Sequence, residues 1–108
     1  MLKLDDRALA YMELHLAESI RLADIAGSAF LSPRQLERLF QEYYKESPMK
    51  YLQKMRLKKA LTLLVRQEAS VASAARQSGF EDISYFTRVF RATYGITPTA
   101  ARRHISKV

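Results

Sequence analysis

Residues 30 to 48 recur fifty positions later as residues 80 to 98. Phe30 pairs with Phe80, Leu36 with Phe86, Arg38 with Arg88, Leu39 with Val89, Phe40 with Phe90, Tyr44 with Tyr94 and Pro48 with Pro98. Matching apolar positions at a fixed offset require one supersecondary unit built twice, because each copy has the same face to bury. At 108 residues the chain has room for one domain or two very small units. Two copies with polar outer faces point to a partner that is long and regular.

The spacing of apolar residues predicts an all-α fold. Asp5 is placed to cap a first helix over residues 6 to 17, with Leu9, Met12 and Leu16 on its buried side. A short helix around Leu22, Ile25 and Ala26 follows, then a break at Phe30-Leu31. Ser32-Pro33 supplies an N-cap and an N1 proline for a helix over 33 to 45. That helix buries Leu36, Leu39, Phe40 and Tyr43 and leaves Arg34, Glu37, Arg38 and Gln41 on the opposite face. Ser47-Pro48 starts another helix in the same way, running to Arg66 with Leu57, Ala60, Leu61 and Leu64 as its apolar stripe. Lys50, Lys54 and Lys58 form a basic line along it, read as a solvated face.

The outline then repeats. Ser70 caps a short helix with Val71, Ala74 and Ala75 inside, and Gly79 permits a turn. Asp82 caps a helix over 83 to 94 that buries Phe86, Val89 and Phe90 and presents Ser84, Thr87, Arg88 and Arg91. Gly95 suits the C′ position, and Thr97-Pro98 starts a last helix through Ile105. Short helix, tight turn and second helix form a helix-turn-helix, whose second helix fits the major groove of duplex DNA. Two such units read one face of a duplex if their second helices lie one turn apart, about 34 Å. A connecting helix of nineteen residues, about 28 Å at 1.5 Å per residue, supplies much of that span. One chain then provides both halves, so the expected site is asymmetric rather than palindromic.

Charge favours the same partner. Residues 1–47 carry six basic and eight acidic side chains, residues 48–65 five basic and none acidic, and residues 66–108 seven basic and three acidic. A net charge of +7 so distributed predicts a polyanion gripped harder by the C-terminal half. The absence of cysteine rules out a thiolate nucleophile or metal site among these residues. His15 and His104 have no partners at ligand spacing, and no catalytic arrangement is present. No cofactor and no enzymatic activity are expected. With no apolar run of membrane-span length and no signal-peptide pattern, the expected location is cytoplasmic, with no membrane partner.

The segment Gly79-Phe80-Glu81-Asp82-Ile83-Ser84-Tyr85-Phe86-Thr87-Arg88-Val89-Phe90, followed by Tyr94-Gly95-Ile96-Thr97-Pro98, resembles the C-terminal signature of AraC/XylS-type transcription regulators. Tyr51-Leu52, Arg56-Leu57, Ala60 and Leu63-Leu64 are similar to that family's linker-helix pattern. The resemblance covers residues 5 to 105. It implies seven helices, with a first helix-turn-helix unit over 5–47, a linker helix over 48–66 and a second unit over 67–108. It also implies bacterial promoter binding and contact with RNA polymerase, as for an activator. Most members carry a sensor domain, for which this chain has no room, so the expectation is a small stand-alone regulator or an excised C-terminal domain, the latter favoured because Leu2 to Asp5 suit the tail of a linker. Three residues depart from the pattern. Lys45 stands where glycine closes the first unit's second helix, Ala74 where isoleucine is common, and Ala101 where an aromatic residue is usual, so the last helix is expected to pack loosely.

By the repeat and the resemblance, the base-edge candidates are Arg34, Glu37 and Arg38 in the first unit and Ile83, Ser84, Thr87 and Arg88 in the second. Arginine can bridge guanine O6 and N7, glutamate can accept from cytosine N4, and isoleucine can pack on a thymine methyl. Gln41 lies on the same first-unit face. Arg91, Lys50 and the N–H groups at helix starts are the phosphate candidates. Tyr43, Tyr44, Tyr85 and Tyr94 are read as core residues with rim hydroxyls rather than base-stacking rings. The competing function is a protein-interaction module with incidental basic charge.

Overall fold

Every chain segment with a 3.6-residue apolar period is helical in the computed structural model, which describes residues 6–105, the side chains of residues 104 and 105 excepted. The helices are α1 (Asp6–Leu14), α2 (Leu22–Ser28), α3 (Pro33–Tyr44), α4 (Pro48–Arg66), α5 (Val71–Gln77), α6 (Ile83–Tyr94) and α7 (Pro98–Ile105). The proposed cap at Asp5 lies outside the described residues. α1 ends three residues short of the expected boundary because the Glu18 amide turns back to the His15 carbonyl at 2.9 Å. His15 Nδ1 donates to Glu18 Oε2 at 2.8 Å across that turn. Leu16 is buried all the same.

Helix starts follow local chemistry. Ser32 Oγ accepts the Gln35 amide at 3.1 Å while Gln35 Oε1 accepts the Ser32 amide at 2.9 Å. This reciprocal pair satisfies two donors that α3 cannot pair internally. Ser47, Ser70, Asp82 and Thr97 each accept one amide at the head of α4, α5, α6 and α7. Helix ends are equally local. Lys45 and Gly95, fifty residues apart, close α3 and α6 in the left-handed region at φ 59° and φ 80°.

The chain divides into two compact units, with the boundary between Met55 and Arg56 inside α4. In the first, Ala8, Met12, Ile25, Leu36, Phe40 and Leu52 are fully buried in one cluster. In the second, Leu57, Ala60, Leu64, Phe86, Phe90 and Ala101 do the same. Each part of α4 therefore belongs to the core of its own unit. The looser packing expected at Ala101 is not found. Ala101 has no exposed surface, and Arg102 donates to the Glu68 carbonyl at 2.9 Å, tying α7 to the loop after α4.

The turns correct the register of the repeat. α3 and α6 are related by an offset of fifty, but α2 and α5 by forty-nine. Leu31 N–H donates to Ala26 and Phe80 N–H to Ala75, both at 2.9 Å, while Phe30 bonds to Gly27 as Gly79 does to Arg76. Leu31 is thus the counterpart of Phe80, and Glu81 is the extra residue of the second turn. Phe30 occupies the glycine position at φ 58° and is 82% exposed, whereas Phe80 is 8% exposed. The pairing of Phe30 with Phe80 fails because the left-handed turn residue points away from the core. Tyr43 is also out of place as a core residue at 49% exposure. Tyr44 takes the inner position, against Phe40 and Tyr51 at centroid distances of 5.2 and 4.6 Å.

Two measurements test these local arguments. Lys45→Gly relieves about 1–2 kcal/mol of left-handed crowding and concedes about 0.5–1 kcal/mol of backbone entropy. Urea unfolding is expected to show a net gain of about 0.5–1 kcal/mol. Burial, then the facing Tyr51 and its hydrogen bond, then Asp6, raise the Tyr44 phenol above its ordinary value. A raised folded-state pKa contributes stability that is fully present below pH ~10 and is lost as pH climbs through the folded value. Tyr44→Phe is therefore expected to gain on the parent chain only above pH ~10, read as unfolding free energy across pH 8 to about 11.5.

Candidate nucleic-acid interface

Burying one side of an amphipathic helix dictates what the other side can offer. In α3 the buried residues are Leu36, Leu39 and Phe40. Arg34, Glu37, Arg38 and Gln41 are all exposed, on successive turns of the opposite face. In α6 the buried residues are Phe86 and Phe90, with Val89 packed against their cluster. Ser84, Arg88 and Arg91 are exposed, and Thr87 is half-buried beside them. The four positions of one helix map onto the four of the other at the offset of fifty. Ile83 matches Pro33 at the head of its helix and is 47% exposed.

The two faces differ chemically. Ser84, Thr87, Arg88 and Arg91 converge on a shallow concavity completed by Ala92, Gly95 and Thr97. No carboxylate lines it. Asp82, at the head of α6, is occupied by the Tyr85 amide at 3.1 Å. The α3 face holds Glu37 between two arginines, and among the described residues no ion pair joins it to Arg34. The Arg88 guanidinium lies over the Tyr85 ring, 5.3 Å from its centroid.

Lys50 is exposed in the first turn of α4, where Ser47 Oγ accepts its backbone amide at 3.2 Å. A cation beside a capped helix start is suited to phosphate, since the N–H groups and the helix dipole both favour negative charge. The basic line along α4 is not uniform. All three lysines are exposed, but Lys54 Nζ sits 2.7 Å from Glu46 Oε2 and is locally neutralised. Arg56 is partly buried, and loss of solvent lowers its pKa. Among the described residues, no group of three or more histidine, cysteine, aspartate or glutamate side chains is arranged to hold a metal.

Sequence reasoning placed all ten candidate residues on accessible positions, Thr87 the least so. It missed Ala92, Gly95 and Thr97 as walls of the α6 concavity, although Gly95 removes a side chain where α6 turns into α7. It also missed the ring beneath Arg88. The signal for that was the i, i+3 spacing of Tyr85 and Arg88, which brings two helical side chains together.

Paired helix-turn-helix units, each with one cation-bearing polar face, define a DNA-binding class of architecture. The model of the helix-turn-helix domain family matches residues 25–104. The regulatory protein PocR of Salmonella typhimurium is 39% identical over 101 residues, covering 94% of this chain and 33% of PocR. An AraC-type DNA-binding domain-containing regulator from Chromobacterium violaceum superimposes with a TM-score of 0.88 at 33% identity, covering 94% of this chain and 90% of that one. The DNA-binding domain of the global transcriptional factor AdpA, solved with a target DNA, gives 0.83 at 28% identity over 90% of this chain and 87% of its own. This chain belongs to the AraC-type helix-turn-helix family. It spans about a third of the length of PocR.

Proposed function

We propose that this chain is the DNA-reading part of a bacterial transcription regulator, with α3 and α6 entering adjacent major grooves of one asymmetric site. The observation that carries the reading is the equivalence of the two polar faces. Positions 34, 37, 38 and 41 and positions 84, 87, 88 and 91 stand opposite the same buried apolar positions. A major groove about 12 Å wide admits one such helix, and its base edges present donors, acceptors and methyls that these side chains match. Arg34, Glu37, Arg38, Ile83, Ser84, Thr87 and Arg88 read bases, with Gln41 beside them. Arg91 and Lys50 hold phosphates.

An α4 of nineteen residues, about 28 Å at 1.5 Å per residue, has the length proposed for the linker. In functional terms residues 5–47 and 67–108 are the two readers and 48–66 the linker. That PocR is named a regulatory protein and that the AdpA domain was solved with its target DNA support the same assignment. In the whole regulator, the remaining partners are RNA polymerase and a sensor domain, and the site of action is the cytoplasm. No helix among the described residues is long and apolar enough to cross a membrane.

Selection of bound duplexes from a random library tests the reading. Two boxes about ten base pairs apart, asymmetric in sequence, are the expected result. A single box would assign base reading to one unit alone. No enrichment, with affinity indifferent to salt, would point to a protein-binding module instead. Lys50→Ala is expected to lower the slope of log affinity against log salt by about one without altering the selected sequence. An unchanged slope would remove Lys50 from the interface.

A further inference from the structure

The base-reading arginines of the two units stand at matching positions but are held differently. Arg88 lies over the Tyr85 ring at 5.3 Å. That ring is 39% exposed and is itself supported, with Phe80 at a centroid distance of 6.4 Å. Phe80 packs on Phe86 at 5.0 Å, and Phe86 on Phe90 at 5.6 Å, both fully buried. A continuous file of rings therefore runs from the core of the second unit to the surface beneath one guanidinium. In the first unit the residue matching Tyr85 is Gln35. Its side chain is engaged with the Ser32 amide in the α3 cap, so no ring lies under Arg38 at that position.

We propose that Tyr85 is a positioning residue, pre-setting the Arg88 guanidinium for bidentate contact with one guanine and making the second box the more strictly read of the two. The proposal rests on the DNA reading above. An arginine side chain has many rotamers, and a free one loses that freedom on binding. Stacking on an aromatic face restricts the planar fork beforehand while leaving its edge donors available to a base. Arg38, lacking the stack, accepts a wider choice of bases.

The test measures the intact chain against its selected duplex and the three duplexes substituted at the base pair that Arg88→Ala relaxes. Tyr85→Leu is expected to reduce discrimination at that base pair alone by about two- to fivefold, the range set by an exposed cation–π contact. Tyr85→Phe keeps the ring and should retain the parent's discrimination. In an Arg88→Ala background, Tyr85→Leu should add nothing, since a positioning residue acts only through the group it positions. Three results would overturn the proposal: equal loss on all four duplexes, the same loss without Arg88, or a phenylalanine variant as weak as the leucine one, which would place the effect in the hydroxyl. If Arg88→Ala itself relaxes no base pair, the α6 reading has failed before Tyr85 is in question.

Discussion

Each second helix of the two units has an apolar pair one turn apart, Leu36 and Phe40 in α3 and Phe86 and Phe90 in α6, and these four side chains are fully buried. Removing them from water is the main favourable term for a unit this small. The consequence is directional. Once that stripe faces inward, the residues at 34, 37, 38 and 41, or 84, 87, 88 and 91, have nowhere to go but outward. The polar face that can enter a groove is the remainder left by core formation.

Capping then determines how far each helix extends. Ser32 with Gln35, and Asp82 with the Tyr85 amide, start α3 and α6 at positions that match at the offset of fifty. Lys45 and Gly95 stop them at matching positions, one with a side chain in the left-handed region and one without. Equal start and stop give two helices of equal length. Gln35 is used in a cap, whereas Tyr85 lies beneath an arginine, so the two helices differ at one matched position.

Charge and fold act on different parts of the interaction. The α4 residues Lys50, Lys54 and Lys58 are all exposed, but Lys54 is held by Glu46, so the basic line is weaker than its sequence suggests. Long-range attraction to phosphate depends on net cationic surface and is sequence-blind. Base preference depends on a few side chains with defined orientation. The α6 concavity is free of carboxylates, whereas the α3 face carries Glu37.

Helix number, most helix starts and the two polar faces were legible in the amino-acid order, because a 3.6-residue apolar period and Ser, Asp or Pro at a helix start act over one or two turns. The resemblance to the AraC/XylS type was legible for the same reason, resting on contiguous residues in and around α6. Three-dimensional packing decided the rest. It moved Phe30 to the glycine position of a turn one residue shorter than its partner. It also placed Tyr44 rather than Tyr43 inside, paired Lys54 with Glu46, and set a supported ring under Arg88. Local periodicity cannot report these, since each depends on which backbone carbonyl a turn amide reaches and on which side chains another helix leaves room for.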